Sequence, residues 1–228
     1  MKCVLLILAL ACVATPAFAQ QDSVPEENPM EEMGVLHNAY LGCLMKQDPE
    51  MQLNSLRVLV ERCGLSVKGD PEAFIEEAGR LLPPDPLASW DDKLAPYHGL
   101  FNEQQQSFLD QLEAILSRTD ATALQIAKSL SGLGIRASDE LGREQADLAV
   151  LAAISVASHS LQFWTSEEHD TAGLRGVEAR RRPWWKVLFV VTGDAAGALI
   201  GTAVAPGPGT VGIAAAASQG VGTAIAHD

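Results

Sequence analysis

The residues that could do chemistry are few and widely spaced. His37, with Asn38 beside it, lies on an apolar face with Met33, Tyr40, Leu41 and Leu44, and His159 stands four residues before Phe163. An imidazole in either place could serve as a base or a ligand, but a histidine on an apolar face more often packs in a core with one local hydrogen bond. His169-Asp170 offers two adjacent donors in a polar stretch, short of the three or four ligands that a zinc site gathers. The chain has no His-Glu-x-x-His, no Gly-x-Ser-x-Gly and no phosphate-binding glycine loop. With no acid pair that can be placed in a cleft either, the expectation is a non-enzymatic protein without cofactor or metal.

The other regular spacing is one of small residues. Gly193, Gly197 and Gly201 fall four apart in an apolar run, so one helix face presents three bare backbone positions. After Pro206-Gly207-Pro208-Gly209 a second run repeats the pattern more loosely at Gly212, Ala216 and Gly220. Together residues 184–228 read as a glycine-zipper-like helical hairpin, packed or self-associated through these six positions.

Two surfaces could cover such a hairpin. Residues 187–205 make a helix of about 28 Å, close to a hydrocarbon core of about 30 Å. Trp184, Trp185 and Lys186 would stand at the headgroups, with Arg180, Arg181 and Arg182 outside them. Asp194 opposes this, because a carboxylate near mid-bilayer costs about 2.5–3.5 kcal/mol; the second run, 211–226, is also short, at about 24 Å. The alternative covers the glycines with the protein's own body, Asp194 serving as an N-cap and Val187 to Thr192 running extended before it. A third option treats the three arginines as a processing site that frees a tail peptide. Partners are accordingly membrane lipid or another copy of the chain, with no nucleic acid.

The elements that must position this tail come earlier. Residues 1–19 read as a cleaved signal peptide, with Lys2, an apolar stretch from Val4 to Val13 and Ala17-Phe18-Ala19 as the cleavage site. Residues 20–27 form a polar, acidic leader. Export permits a bond between Cys43 and Cys63. A turn at Asp48-Pro49 followed by a continuous helix would nevertheless carry Cys63 about 20 Å from that turn, farther than a bridge allows, and two buried thiols remain the alternative.

The body, 28–165, reads as helices throughout. Asn28-Pro29, Asp48-Pro49 and Asp70-Pro71 each combine a capping side chain with proline at the first helical position. Their inner faces differ, so this is recurring cap chemistry and not a repeat. Residues 83–99 form a surface loop pinned by Trp90 or Tyr97. Further helices start at Asn102 or Glu103 and at Asp120, the latter ending at Gly132 and Gly134. Ser138 then caps the longest, 139–165, which between Leu148 and Ala157 is apolar on all sides except at Ser155, the pattern of a central helix. The fold class expected is all-α: an irregular bundle around residues 139–165, a polar and basic linker at 166–183, then the hairpin.

Charge divides along the chain. Residues 20–179 carry 27 acidic and 11 basic side chains; from Arg180 onward four are basic and two acidic. An acidic body repels nucleic acid, and the basic cluster beside an apolar tail suits a membrane surface better than a duplex.

Three stretches, NPMEEMGVLHNAY at 28–40, LAAISVASHSLQFW at 151–164 and WWKVLFVVTGDAAGALIG at 184–201, resemble a group of exported bacterial proteins of uncharacterised function. The resemblance implies an exported helical body with a Gly/Ala-rich tail and brings no catalytic residues. The resulting expectation is an exported or envelope protein whose hairpin associates with or inserts into a membrane, or self-assembles. The alternative is a soluble secreted interaction module whose tail packs on its own core.

Overall fold

The computed structural model describes residues 28–47, 54–166, 184–207 and 209–227, the last five of these by backbone only. The expected signal peptide, the leader, His169-Asp170 and the arginine run lie outside the described residues. All regular structure among the described residues is helical: α1 (Glu31–Leu44), α2 (Ser55–Glu61), α3 (Pro71–Leu81), α4 (Trp90–Leu94), a 3-10 turn (Ala95–Leu100), α5 (Glu103–Leu116), α6 (Ala123–Glu140), α7 (Gln145–Thr165), α8 (Trp184–Val204) and α9 (Thr210–His227).

Local chemistry sets most of the boundaries. Asp70 accepts from the Ala73 amide and Pro71 fills the first position of α3. Asn102 and Gln105 close a reciprocal capping box on α5, and Thr122 with Gln125 does the same for α6. Gly64, at φ +73°, turns the chain after α2 in a conformation that side chains resist. Trp90, as expected of a pin, is buried and anchors the segment after Pro83-Pro84.

Several boundaries differ from expectation: Met30, not Asn28, stands at the cap of α1, Thr122, not Asp120, caps α6, and much of the loop expected at 83–99 is α4 and the 3-10 turn. Gly132 and Gly134 do not end α6, which continues to Glu140. A Cβ added at Gly134 would stand 3.5 Å from a methyl of Ile154, an ordinary contact, and the helix runs straight through this glycine. Ser138 is inside α6; the following helix starts only at Gln145, after a break at Leu141–Glu144, with Glu144 and Asp147 forming its capping box.

Four helices make the centre. α7 is buried along its length, and α8 lies antiparallel against it and against α9. α1 runs parallel to α7, held by Asn28 Nδ2 to Leu151 O (3.0 Å), Ser155 Oγ to Glu31 O (3.1 Å) and Asn38 Nδ2 to His159 O (2.8 Å). It also touches α9, so α1 and α8 face each other across the bundle's diagonal. The remaining helices wrap this square: α5 and α6 on α7, α4 on α8, and α2 and α3 on α9.

The tail therefore supplies two of the four central helices. Val187, Leu188, Val191, Ala195, Ala196, Leu199 and Ile200 of α8 belong to one buried cluster with Leu112, Leu130, Leu133, Val150 and Ile154. Gln145 Nε2 donates to the Ala203 carbonyl, covering an acceptor that the end of α8 would otherwise leave bare. Both α7 and α8 are long and apolar enough to cross a membrane, yet 67% and 78% of their most apolar windows are buried inside the protein. The extended segment expected at Val187 to Thr192 is helix instead, and Asp194 is the eleventh residue of the 21 in α8, not its cap.

A disulfide joins Cys43 to Cys63, Cα atoms 5.9 Å apart. The geometric objection fails because α2 is only seven residues long and Cys63 lies beyond its end, where the chain has already turned back toward α1.

Candidate functional site: a polar layer inside the bundle

Helix register explains how polar residues meet in the interior. Val156, Ala198 and Ala214 pack together with Met33, one residue from each of the four central helices. One turn away in a common direction, four residues forward on α7, α9 and α1 and four residues back on the antiparallel α8, come Ser160, Ser218, His37 and Asp194. All four are completely buried.

Their bonding converges on the carboxylate. The Ser160 hydroxyl donates to Asp194 Oδ2, and His37 Nε2 lies 3.7 Å from the same oxygen. His37 Nδ1 is 3.1 Å from Asn38 Oδ1, while Asn38 turns its amide nitrogen to the His159 carbonyl. Asn38 therefore presents an acceptor to Nδ1, which must carry a proton. Nε2 then faces the carboxylate at a separation longer than a hydrogen bond. His37 Nε2, Asp194 Oδ1 and Ser218 Oγ have no hydrogen-bond partner, so the layer holds more polar capacity than its direct contacts use.

Lys93 completes the electrostatics from α4. Its side chain is 5% exposed and its Nζ has no hydrogen-bond partner. Burial holds the amine below the ordinary lysine range, and the charges of Asp85 and Asp194 pull it part of the way back. Lys93 also lines a cavity of about 240 Å³ with Trp90, Leu188, Phe189, Thr192 and Glu113. The Glu113 carboxyl is pushed up, first by burial and then by Asp91 and Asp110. A second buried polar contact, Gln105 Nε2 to Asp147 Oδ1 at 2.7 Å, ties α5 to α7 away from this layer.

A serine, a histidine and an aspartate in contact invite comparison with a nucleophilic triad, but the order is wrong. Catalysis needs the imidazole between acid and serine, whereas here serine and imidazole address the same carboxylate. No group of three metal-ligating side chains occurs among the described residues. What the layer can do is hold charge: one carboxylate serves two basic groups and a hydroxyl in a low-dielectric interior.

The residues singled out by spacing fall into two sets. Gly193, Gly197 and Gly201 all face α9, where an added Cβ would meet Val221 at 2.7 Å, Ala217 at 2.9 Å and Thr210 at 3.0 Å respectively. That face is closed by the chain's own hairpin partner. Gly212, Ala216 and Gly220 do not answer it across the hairpin; Ile213, Ala214, Ala217 and Val221 do. Gly212 instead admits Leu65, Ala216 packs with Leu44, Leu56 and Leu59, and Gly220 lies by Pro86. Trp184 packs partly buried against the main core, Trp185 is 46% exposed, and Lys186 sits 5.4 Å above the Trp185 ring. His159 pairs with Glu31 at 2.7 Å on the rim of a groove of about 360 Å³ between α1, α6 and α7.

Sequence reasoning identified His37 and Asp194 separately but did not join them, and it missed Ser160, Ser218 and Lys93. The available signal was that Asp194 is the one charge in its apolar run and His37 the one basic group on its face: two isolated polar groups in apolar settings need each other. Compared with family models, curated proteins and solved structures, the chain finds no match.

Proposed function

We propose that the protein works as an exported, non-enzymatic helical module in a folded, water-soluble form, with its glycine-rich hairpin serving as two of its four central helices. The observation that carries this reading is the double coverage of α8: α7 closes one face and α9 closes the glycine face, leaving even Asp194 fully buried. Apolar helices paired in this way already have the surface that a bilayer would otherwise supply. Export is supported by the Ala17-Phe18-Ala19 signal pattern and by the Cys43–Cys63 geometry, which an oxidising compartment would keep bonded. The mode of action is contact with a partner, since the buried trio lacks the order for nucleophilic catalysis.

The test is fractionation at neutral pH of the mature chain and of a chain ending before Trp184. The reading expects the intact chain in the soluble fraction with a cooperative thermal transition, and the shortened chain unfolded. An intact chain found in membranes, or a shortened chain that melts like the intact one, would overturn it.

A further inference from the structure

α4, the end of α5 and the start of α8 enclose the cavity of about 240 Å³ beside Lys93. Its floor is apolar and closed, with Trp90, Leu116 and Leu188 all buried. Trp185 and Phe189 stand exposed in its wall, set edge to face with ring centres 6.2 Å apart. An apolar cavity of about 150 Å³ suffices for benzene, so this one has room for a ring and a few further heavy atoms. Concave, mostly apolar and lined by a few polar groups, it has the form of a site for a small ligand.

The polar groups decide what such a ligand carries. Glu113 is half-buried, and its carboxyl forms no hydrogen bond or ion pair among the described residues. Three of the four hydroxyls in the wall cannot serve it, because each has given its proton elsewhere: Ser89 Oγ to Asp92 Oδ2 (2.7 Å), Ser117 Oγ to the Ala114 carbonyl (3.2 Å) and Thr192 Oγ1 to the Leu188 carbonyl (2.8 Å). The carboxyl is pushed up by burial, then by Asp91 and Asp110, so a donor brought to it is rewarded.

A net charge on the ligand is opposed in either sign. An anion would meet Glu113, with the charges of Asp91 and Asp110 acting on the same place. A cation would meet Lys93, whose own charge burial already opposes and whose counter-charges, Asp85 and Asp194, come from the protein. Lys93 is 5% exposed and its Nζ lacks a hydrogen-bond partner, so the wall holds one unpaired acceptor and one unpaired donor. A hydroxyl answers both without adding charge: it has one proton to give and lone pairs to offer.

We propose that this cavity binds a small, uncharged, apolar molecule bearing a hydroxyl group, of the size of an alkylphenol, with its O–H donated to Glu113 and its ring against the buried floor and the Trp185–Phe189 pair. Aromatic walls favour an aromatic guest through edge and offset contacts. The proposal goes beyond partner contact as a mode of action and rests on the preceding reading in one respect: α8 forms one wall, so the site exists only while α8 is packed in the soluble fold.

The experiment titrates the mature, disulfide-intact chain in buffer at neutral pH and follows the indole N–H signals of Trp90 and Trp185 by nuclear magnetic resonance. The probes are 4-ethylphenol, ethylbenzene, 3-phenylpropionate and phenethylammonium. 4-Ethylphenol should shift both indoles saturably and bind about tenfold more tightly than ethylbenzene, the margin of one hydrogen bond to a carboxylate, and more tightly than either ion. Glu113→Leu should bring the ratio of 4-ethylphenol to ethylbenzene close to one while ethylbenzene still binds, and Glu113→Gln, which keeps an acceptor oxygen, should restore part of it. Absence of a saturable shift, a ratio near one in wild type, a ratio unchanged in Glu113→Leu, or tightest binding by either ion overturns the proposal. A folded chain that binds nothing leaves the reading of α8 as core intact, whereas a chain without a cooperative transition in buffer removes that reading and the site together.

Discussion

Gly197→Ala probes the contact on which the hairpin depends. The added methyl would sit 2.9 Å from the Ala217 Cβ and 3.0 Å from the Ala214 Cα, where carbon atoms ordinarily keep about 3.5–4.0 Å. One obstructing atom is backbone and the other is fixed directly to it, so no rotamer change relieves the clash. α8 and α9 must separate by more than half an ångström along a buried seam. Overpacking of this kind costs about 1–3 kcal/mol, against a gain of about 1 kcal/mol for alanine over glycine inside a helix. The net expectation is a loss of about 1 kcal/mol, or roughly 2–4 °C in Tm for a chain of this size. Gly79→Ala is the matched control: nothing lies within 4 Å of its added Cβ, so it should stabilise by about 1 kcal/mol from propensity alone. Ala217→Gly added to Gly197→Ala should recover part of the loss, with a coupling of about 1 kcal/mol in a double-mutant cycle. Urea and thermal unfolding followed by circular dichroism supply the numbers. If Gly197→Ala stabilises as much as Gly79→Ala does, α9 does not lie against that face and the hairpin packing is wrong.

Three further outcomes follow from the interior and the disulfide. Asp194→Ala leaves His37 and Lys93 without their carboxylate and Ser160 without its acceptor, and should lower the unfolding free energy by about 3–5 kcal/mol in urea titrations. Lys93→Met removes a buried amine held below its ordinary range. The folded state binds that proton less readily than the unfolded chain, so wild-type stability rises with pH between the lowered value and the ordinary lysine value of 10.5. The variant should accordingly be more stable than wild type at neutral pH, with the advantage shrinking as pH climbs through that window; an advantage independent of pH would refute the assignment. Reduction of Cys43–Cys63, 20 residues apart in sequence, should cost about 3 kcal/mol by the loop-entropy estimate, measured as a shift in the urea midpoint.

The sequence revealed the elements better than their partners. Asp70, Asn102 and Trp90 were legible because capping and pinning are local: the residue that acts and the backbone it acts on lie within a turn or two. The all-round apolar character of α7 correctly placed it at the centre. What escaped is what depends on distant neighbours. Gly132 and Gly134 read as a helix stop, whereas the packing of Leu130, Leu133 and Ala137 in the core carries α6 through them to Glu140. The apolar tail and the apolar central helix each looked in need of a covering surface, and nothing in either periodicity says that each covers the other. Asp194 looked like a cap or a membrane liability because its partners, His37 and Ser160, lie 157 and 34 residues away in the chain. The disulfide was obscured by an assumed helix longer than the seven residues of α2.

The central claim is that α8 belongs to the folded core in water, and amide hydrogen exchange of the intact chain in buffer at neutral pH tests it most directly. Amides from Leu188 to Thr202 should exchange only through global unfolding, with protection equal to that of Val150 to Leu161 in α7. Rapid exchange across Leu188 to Thr202 while α7 stays protected would contradict the account, because it would place the hairpin outside the core it is claimed to complete.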